Sequence, residues 1–448
     1  MIQEADVVVI GSGALGASTA YHLARKSGVR VALVERHAVA SQTSPRAAGL
    51  TSKARGTDLM MRLADLAVRK IERFTDETGE PLVYHQTGAL KIARLPEHVE
   101  QLHREVARAR ETGVELDFIS PAEAQRLTPF LQDRGILAMI YSPTDLYLEP
   151  VQIPLGYARA AQRLGAELIE QTSVTAIATR DGAVTGVVTD QGEIRTPVVV
   201  DAGGAWTRVV GQLIGVDIPL VPTRHQLVIT EPIAGVEPGQ PIARVIDVNV
   251  YIRPEQGGLM LGGYEPDPLQ FDASTLPPGF QIKDLPLDLG VLRRFAASVA
   301  DQFPILQDFK VREHRGGLPT MTPDGQHIVG PVPGVRGFFV ASGCNVGGLS
   351  IAPAIGDVLA AWITDGTPPL DLTPLSPARF GPARLPEDHL RGNCLWQYAH
   401  HYSGDHGRGD APLDVAPRQR HPQPGSPRLP PYPHPLFRPG RRPSTMAM

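Results

Sequence analysis

The chain has 448 residues, of which 42% are apolar and 20% charged, and a formal net charge of −4. It is too long for one simple core, and its small net charge does not favour nucleic acid as a partner. Its two cysteines are too few for a disulfide framework or a cysteine-rich metal site, so we expect a reducing compartment, the cytoplasm, and no metal. We find neither the basic start of a signal peptide nor an apolar run long enough to span a membrane.

The first 36 residues have the pattern of a βαβ unit. The runs "ADVVVIG" (5–11) and "RVALVER" (30–36) predict strands buried on both faces, and the segment between them has helical spacing. Gly11, Gly13 and Gly16 form a GxGxxG loop between the first strand and the helix. Such glycines allow a tight turn, close approach of a pyrophosphate and close helix packing. The pattern predicts a dinucleotide at the helix N-terminus.

Glu35 ends the second strand, 19 residues after Gly16. A carboxylate at this position accepts hydrogen bonds from a ribose diol and disfavours a 2′-phosphate, so we do not expect NADP. The first loop alone leaves NAD and FAD open.

A second strand–loop–helix unit occupies residues 334–366. It consists of the apolar run "GFFVAS", the bend "GCNVGG" (343–348) and a long apolar helix, with no GxGxxG of its own. An FAD enzyme needs such a segment to hold the distant isoalloxazine ring, whereas an NAD enzyme does not. An ordinary β–α unit with glycines for close packing is the alternative. Residues 196–215 form a further strand, glycine turn and helix, where Ala202 and Gly203 would let the backbone pass close to a cofactor.

Several motifs in a fixed order strengthen the case for FAD. Besides the first loop they are "RAAGL" (46–50), "HQTGALKIA" (85–93), "DLYLEP" (145–150), "DAGGAWTRVVGQLIG" (201–215), "PLVPTRHQLVITEP" (219–232), "YIRPEQGGLMLGGYEP" (251–266) and the stretch 320–356. Together they resemble the D-amino-acid-oxidase-like superfamily of FAD oxidoreductases. Within it, the chain is most similar to the flavin module of dimethylglycine and sarcosine dehydrogenases and oxidases.

The resemblance implies an α/β fold in which an FAD-binding Rossmann domain of the glutathione-reductase type is interleaved with an α+β substrate domain. The substrate domain is built on an antiparallel sheet that roofs the flavin. The expected segments are 1–84, 148–220 and 313–380 for FAD binding, 85–147 and 221–312 for the substrate domain, and 381–448 as a C-terminal extension.

The resemblance and the loop patterns together give the expected site residues. We expect FAD to be held by Gly11, Gly13, Ala14, Gly16, Glu35, Arg36, Arg46, Ala47, Ala48, Gly49, Val174, Ala202, Gly203, Trp206, Gly343, Asn345, Gly347, Gly348 and Leu349. We expect catalysis to depend on His225, Tyr251 and Tyr264. His225 matches a histidine of the dimethylglycine-oxidising relatives and is suited to orient the amine or accept its proton, although a packed strand histidine is the alternative. The tyrosines are suited to bind a carboxylate, or are core aromatics.

Three positions depart from the family pattern. Arg46 replaces the histidine that carries covalent flavin in some relatives, so we expect noncovalent FAD. Pro319 aligns with an arginine that binds the substrate carboxylate in glycine-oxidase-like members, and Ser350 aligns with a lysine of monomeric sarcosine oxidases. The usual carboxylate anchor is therefore expected to be missing. Because 68 residues follow Phe380, we do not expect the folate-binding module of the larger relatives. We also expect Arg253 to be exposed and Cys394 to be buried.

The leading functional hypothesis is FAD-dependent oxidation of a secondary or tertiary amino acid, such as an N-methyl amine, by hydride transfer and hydrolysis of the resulting imine. The expected electron acceptor is O2 or another redox protein. The alternatives are oxidation of a D-amino acid or cyclic imino acid, an NAD-linked dehydrogenase, and a non-catalytic flavin-binding subunit of a larger complex.

The C-terminal tail has a different composition from the rest of the chain. After Asp414 there is no acidic residue, six arginines occur and proline is frequent. Such a composition does not support a packed core, so we expect disorder from about residue 405 and no role in the chemistry.

Overall fold

The computed structural model describes residues 2–277 and 279–403. The expectation for the tail from about residue 405 lies outside these residues. The α-helices of the described part are α1 Ala14–Ala24, α2 Asp58–Glu72, α3 Phe74–Thr78, α4 Pro96–Thr112, α5 Pro121–Leu127, α6 Gln152–Arg163, α7 Thr207–Gln212, α8 Leu289–Ser298, α9 Gly348–Asp365 and α10 Glu387–Ala399. Among the helices of residues 2–277 and 279–403, none is both long and apolar enough to cross a membrane.

A six-stranded sheet forms the first structural layer, in the order β21-β22-β13-β1-β2-β9. All neighbouring pairs are parallel except β21 with β22. Its strands are β1 Val7–Ile10, β2 Val31–Val34, β9 Glu167–Ile169, β13 Val199–Asp201, β21 Ile328–Pro331 and β22 Phe338–Ser342.

The central strand β1 is buried on both faces, as its unbroken apolar sequence predicts. Val7 and Val9 pack into one apolar cluster with α1, α6 and α9, whereas Val8 and Ile10 pack into another on the opposite face. The chain leaves β1 toward β2 on one side and returns through β13 on the other. The strand order therefore reverses at β1, which places a ligand-binding crevice beyond its carboxyl end.

An eight-stranded sheet forms the second layer, in the order β19-β15-β18-β17-β16-β5-β7-β6. It is antiparallel except for the parallel pair of β16 with β5. Its strands are β5 Ala89–Ala93, β6 Asp117–Phe118, β7 Ala138–Ser142, β15 His225–Thr230, β16 Ile242–Val245, β17 Val250–Glu255, β18 Gly258–Gly263 and β19 Val311–Gly317.

Three small sheets complete the described structure. Their strands are β3 Leu50–Thr51, β4 Tyr84–His85 and β8 Leu146–Leu148 in one sheet, β10 Val174–Arg180, β11 Ala183–Thr189 and β12 Gly192–Arg195 in the next, and β14 Val221–Pro222 with β20 Thr320–Met321 in the last.

The two large sheets alternate along the chain, so the expected interleaved α/β fold is confirmed. The expected boundary between residues 312 and 313 falls inside β19, whose pairing with β15 continues to Gly317. The other expected segment boundaries remain predictions.

The start of the expected C-terminal extension is an integral part of the fold. One face of α10 carries Leu390, Cys394 and Tyr398, spaced four residues apart and fully buried. They pack with Leu227 and Met260 of the eight-stranded sheet. The burial of Cys394 agrees with the sequence-based expectation. Residues 387–399 therefore cover one face of the second layer.

Two truncations test the division between α10 and the tail. A chain ending at Ser403 keeps α10, and we expect its melting temperature and flavin content to match those of the full chain. A chain ending at Pro386 loses three buried side chains, each contributing ~1.5–3 kcal/mol if apolar, so its melting temperature should fall by many degrees. Circular dichroism melting curves measure both effects. Equal stability of the two truncated chains would contradict this account.

Candidate active site

A cavity of about 630 Å³ lies where the two large sheets face each other. One side is formed by the turns that follow β1, β13 and β22, at the carboxyl edge of the six-stranded sheet. The other side includes His225 on β15 and Tyr251 on β17. Because open parallel sheets bind ligands at this edge, the cavity is the candidate active site.

The three glycines of the first loop meet different structural requirements. Gly11 has φ +99°, and a β-carbon there would lie 2.5 Å from the carbonyl oxygen of Ala202. A β-carbon on Gly16 would lie 1.9 Å from the carbonyl oxygen of Gly11. Gly13 has φ −65°, and the nearest atom to its β-carbon would be Ser44 Oγ at 3.3 Å. The fold thus requires Gly11 and Gly16, whereas Gly13 keeps space open beside the N-terminus of α1.

Arg46 lies in the cavity wall, at the end of a short 3₁₀ turn, Ser44–Arg46. Its Nε is buried and has no hydrogen-bond partner within the described residues. Burial, reinforced by the nearby charge of Arg315, lowers the pKa of its guanidinium. An unpartnered buried donor is costly, so Arg46 is suited to bind a polar ligand group in the cavity.

Arg253 is buried, and the expectation that it is exposed is wrong. Its side chain is 1% exposed and lies on the same face of β17 as Tyr251. Its Nε donates to the carbonyl oxygen of Ala48 at 2.8 Å, and its guanidinium carbon lies 4.6 Å from the ring centre of Tyr147. These partners are distant in sequence, so the local pattern gave no sign of them. Arg253 ties the loop of residues 46–49 to the eight-stranded sheet.

The loop before α9 is held in a strained conformation. Asn345 and Val346 have φ values of +42° and +63°, which are unusual for residues with side chains and especially for a β-branched one. The side chain of Asn345 accepts a hydrogen bond from the backbone N–H of Thr322 at 3.0 Å and donates to the carbonyl oxygen of Gly343 at 2.8 Å. These bonds orient the N-terminus of α9 toward the cavity, where Gly347 and Gly348 lie in the wall.

Glu35 does not line the cavity, and its carboxylate is hydrogen-bonded to Ser12 in the loop that follows β1. It accepts hydrogen bonds from the backbone N–H and the hydroxyl of Ser12, at 2.8 and 2.7 Å, and from the N–H of His37 at 2.9 Å. Nearby, the guanidinium carbon of Arg36 lies 4.3 Å from the ring centre of Trp206. This cation–π pair forms a platform at the carboxyl end of β2.

The structure divides the expected cofactor residues into two groups. The residues in the cavity wall are Gly13, Ala14, Arg46, Ala47, Ala48, Gly49, Ala202, Asn345, Gly347, Gly348 and Leu349. The residues outside this wall are Gly11, Gly16, Glu35, Arg36, Val174, Gly203, Trp206 and Gly343. The second group holds the loops in place or lies beyond the cavity, near the ends of β2 and β13.

The three expected catalytic residues lie together in the cavity wall. His225 and Tyr251 share a hydrogen bond of 3.0 Å between Nε2 and the hydroxyl, and Tyr264 lies 5.0 Å from the histidine ring, centre to centre. A β-carbon on Gly262 would lie 2.2 Å from the hydroxyl of Tyr251, so this glycine makes room for the phenol. The other histidine nitrogen, Nδ1, lies 2.8 Å from the hydroxyl of Tyr398 on α10.

The histidine–tyrosine cluster is neutral at physiological pH. Burial lowers the pKa of His225 to about 4 and raises the pKa values of Tyr251 and Tyr264 above their ordinary range. Among residues 2–277 and 279–403, no charged side chain hydrogen-bonds to either nitrogen of His225. The cluster therefore offers hydrogen bonds without net charge.

Arg55 and Arg244 are two of the cavity arginines that were not predicted from the sequence. Arg55 donates to Ser350 Oγ at 3.1 Å, its Nε has no hydrogen-bond partner within the described residues, and burial lowers its pKa. Arg244 forms an ion pair of 2.8 Å with Asp145. Arg55 follows the "RAAGL" motif closely, but nothing in its local sequence indicates which way the side chain points. Pro319, expected where relatives carry the carboxylate-binding arginine, also lies in this wall.

The cavity residues fit an extended dinucleotide with a ring system at one end. The N-termini of α1 and α9 both open onto the cavity and offer N–H donors. The nearest atom to a β-carbon at Gly13 would be Ser44 Oγ at 3.3 Å, and the buried Nε of Arg46 lacks a partner in the described protein. These features suit the pyrophosphate and flavin ring of FAD.

A pair of glycine substitutions tests which glycine faces the ligand. Gly13→Val places a side chain 3.3 Å from Ser44 Oγ, an atom of a side chain that can move, so we expect a folded protein with a near-normal apoprotein melting temperature and little bound flavin. Gly16→Ala collides with the backbone at Gly11, so we expect a clear loss of stability. Absorbance at flavin wavelengths and thermal melting of the apoproteins measure the two effects. A yellow Gly13→Val protein with full flavin stoichiometry would contradict the assignment.

Comparison with known proteins agrees with this geometry. The family model described as "FAD dependent oxidoreductase" matches residues 6–362. The chain is 33% identical to the mitochondrial dimethylglycine dehydrogenase of Rattus norvegicus over 386 residues, which are 84% of this chain and 45% of that protein. It is also 33% identical to the mitochondrial sarcosine dehydrogenase of Homo sapiens over 408 residues, covering 89% of this chain and 44% of that protein.

Among solved structures, L-proline dehydrogenase from P. horikoshii superposes with a TM-score of 0.77 at 26% identity, covering 86% of this chain and 100% of that chain. The chain spans a little under half the length of the two dehydrogenases named above. Because the family model covers most of the chain, the protein belongs to the family of FAD-dependent oxidoreductases.

Proposed function

We propose that this protein oxidises the amine of a small amino acid, with an N-methylated secondary or tertiary amine as the preferred substrate class. The observation that carries the proposal is the pairing of Arg55, a cation with an unpartnered buried nitrogen, with the neutral cluster of His225 and Tyr251 in one cavity. An amino acid needs both kinds of contact, since its carboxylate is anionic and its amine must be neutral to react. The relatives named above support this class of substrate.

Bound FAD supplies a two-electron acceptor for the hydride of the substrate C–H bond. Gly13 and Ala14 at the start of α1 are suited to the pyrophosphate, and Gly347, Gly348 and Asn345 to the flavin end. Loss of a hydride from the neutral amine leaves an iminium ion, which becomes an imine when a secondary amine also loses its N–H proton. Water then hydrolyses it to an amine and a carbonyl compound, which is formaldehyde where the oxidised carbon is an N-methyl group.

Arg55 is proposed to bind the substrate carboxylate. The expected anchor arginine is replaced by Pro319, so a cation is needed from elsewhere in the wall. Arg244 is already paired with Asp145, whereas the side-chain hydrogen bond of Arg55 within the described residues goes to a neutral hydroxyl, Ser350 Oγ, and Asp145 acts on Arg55 as a nearby charge without an ion pair. A buried guanidinium beside a neutral partner gains strongly from a carboxylate ligand.

His225 is proposed to serve the reaction through the hydroxyl of Tyr251. Both of its ring nitrogens are bonded to tyrosines, so a direct contact with the substrate would break one of these bonds. The imidazole therefore acts by orienting the phenol that faces the cavity. Tyr264, stacked 4.0 Å from the ring of His401, shapes the same wall.

The alternative functions would use the same site. A D-amino acid or a cyclic imino acid would use the same carboxylate and amine contacts, and the electron acceptor is proposed to be O2 or another redox protein. A flavin-binding subunit without catalysis differs in one measurable way, because no amine would reduce its flavin.

The test is anaerobic mixing of the flavin-loaded full chain with sarcosine, dimethylglycine, 4-methylaminobutanoate, proline, D-alanine and glycine. We expect the flavin absorbance to bleach fastest with an N-methyl amino acid, with formaldehyde released in proportion. Faster bleaching by proline would support a cyclic imino acid as the substrate, and faster bleaching by D-alanine would support a D-amino acid. Absence of bleaching by all six amines would refute amine oxidation.

Replacement of Arg55 tests the carboxylate contact. A charge-assisted hydrogen bond is worth ~1.5–3 kcal/mol, so Arg55→Met should weaken binding of the best amino acid by roughly 10- to 100-fold. Arg55→Lys keeps the charge and should recover part of the loss. The amide analogue of the same substrate lacks the negative charge and should bind both variants nearly as it binds the wild type. Stopped-flow titration gives these dissociation constants, and an equal loss for acid and amide would rule out the contact.

The side chain at residue 46 predicts whether FAD is attached covalently. Arginine does not form the histidyl bond to flavin found in some relatives, so FAD should be noncovalent. Precipitation of the holoprotein with acid should release all flavin to the supernatant. Fluorescent flavin on the denatured polypeptide after gel electrophoresis would contradict this expectation.

A further inference from the structure

His225 is enclosed by tyrosines from two different parts of the chain. Its Nε2 lies 3.0 Å from the hydroxyl of Tyr251 on β17, and its Nδ1 lies 2.8 Å from the hydroxyl of Tyr398 on α10. Tyr251 lines the cavity, whereas Tyr398 lies behind the histidine and outside the cavity wall. Tyr398 also lies beyond residue 362, where the match to the family model ends.

The direction of the hydrogen bonds follows from the burial of the Tyr398 hydroxyl, whose hydrogen requires an acceptor. This tyrosine is 0% exposed, and the bond to His225 is the one hydrogen bond of its hydroxyl within residues 2–277 and 279–403. If Nδ1–H donated to the phenol oxygen, the phenol hydrogen would be buried without an acceptor, at a cost of ~1–3 kcal/mol. The hydroxyl of Tyr398 therefore donates to Nδ1.

This direction fixes the rest of the chain of hydrogen bonds. A neutral imidazole that accepts at Nδ1 carries its proton on Nε2. Nε2–H then donates to the oxygen of Tyr251, which leaves the hydrogen of Tyr251 free to point into the cavity. With the opposite tautomer, the hydrogen of Tyr251 would be bonded to the histidine and unavailable to a ligand.

We propose that Tyr398 is a positioning residue that holds His225 in the Nε2–H tautomer and thereby presents the hydroxyl of Tyr251 to the substrate as a hydrogen-bond donor. The inference rests on the proposed function, since it names how the same site recognises its substrate. It also gives α10 a role in the active site in addition to its packing.

The first test reads the tautomer directly and does not depend on turnover. The full chain with bound flavin is prepared with ¹⁵N-labelled histidine, and the His225 signals are identified by their absence in His225→Gln. We expect the Nε2–H form at pH 7 in the wild type. In Tyr398→Phe the donor to Nδ1 is gone, so we expect a mixture of tautomers. A wild-type Nδ1–H form, or an unchanged tautomer in Tyr398→Phe, would overturn the proposal.

The second test is a double-mutant cycle on the rate of flavin reduction by the best amine. His225→Gln disrupts the hydrogen bonds to both tyrosines, each worth ~1 kcal/mol, so it should lower the rate by at least ~10-fold. Loss of one hydrogen bond of ~1 kcal/mol corresponds to roughly 5-fold, which is the reduction expected for Tyr398→Phe. In the His225→Gln background the same substitution should change the rate by less than about twofold, because Tyr398 acts through the histidine.

A matched control separates positioning from packing. Tyr21 on α1 is 1% exposed, and its hydroxyl donates to the carbonyl oxygen of Glu77 at 2.7 Å, away from the cavity. Tyr21→Phe should lower the melting temperature about as much as Tyr398→Phe and leave the rate of flavin reduction unchanged. Equal rate losses from Tyr398→Phe with and without His225 would identify a structural role and overturn the proposal.

The two tests separate this proposal from the proposed function. If the tautomer changes in Tyr398→Phe but no amine reduces the flavin, the positioning role is supported and amine oxidation is refuted. If amines reduce the flavin while the tautomer does not respond, amine oxidation stands and the role of Tyr398 is refuted.

Discussion

The close contact between Gly11 and Ala202 determines where the candidate active site lies. The α-carbon of Gly11 approaches the carbonyl group of Ala202 so closely that no β-carbon fits between them. This contact brings the end of β1 against the end of β13, at the point where the strand order reverses. The chain then turns directly into α1, whose N-terminus opens onto the cavity.

A second contact joins the two layers across that space. The hydrogen bond from Arg253 to the carbonyl oxygen of Ala48 connects the roof sheet to the loop that carries Arg46. Burying a guanidinium is costly unless its donors are satisfied, and here Ala48 and Pro254 accept from it while Glu255 supplies the opposite charge. The contact therefore sets the spacing between the roof and the expected flavin site, and Arg253 contributes to that spacing without lining the cavity.

The local features of the fold could be predicted from the sequence, whereas the long-range ones could not. The strands and turns around Gly11 and Gly343 follow from apolar runs and glycines that are adjacent in the chain. The burial of Arg253 and the orientation of Arg55 depend on partners about 200 or more residues away. The role of α10 was missed for the same reason. Leu390, Cys394 and Tyr398 have helical spacing, but nothing in their local sequence indicates that this face packs on the distant strands that carry Leu227 and Met260.

The distribution of charge in the cavity accounts for how a substrate amine could become reactive without a dedicated base. In the proposed site Arg55 favours the carboxylate of an amino acid, and the same positive charge disfavours a nearby ammonium group. The neutral wall of His225, Tyr251 and Tyr264 offers no compensating negative charge. Both effects lower the pKa of a bound amine and favour its loss of a proton on entry. A histidine with both nitrogens committed to tyrosines is therefore compatible with catalysis, because the role proposed for it is to orient a donor and not to remove the proton.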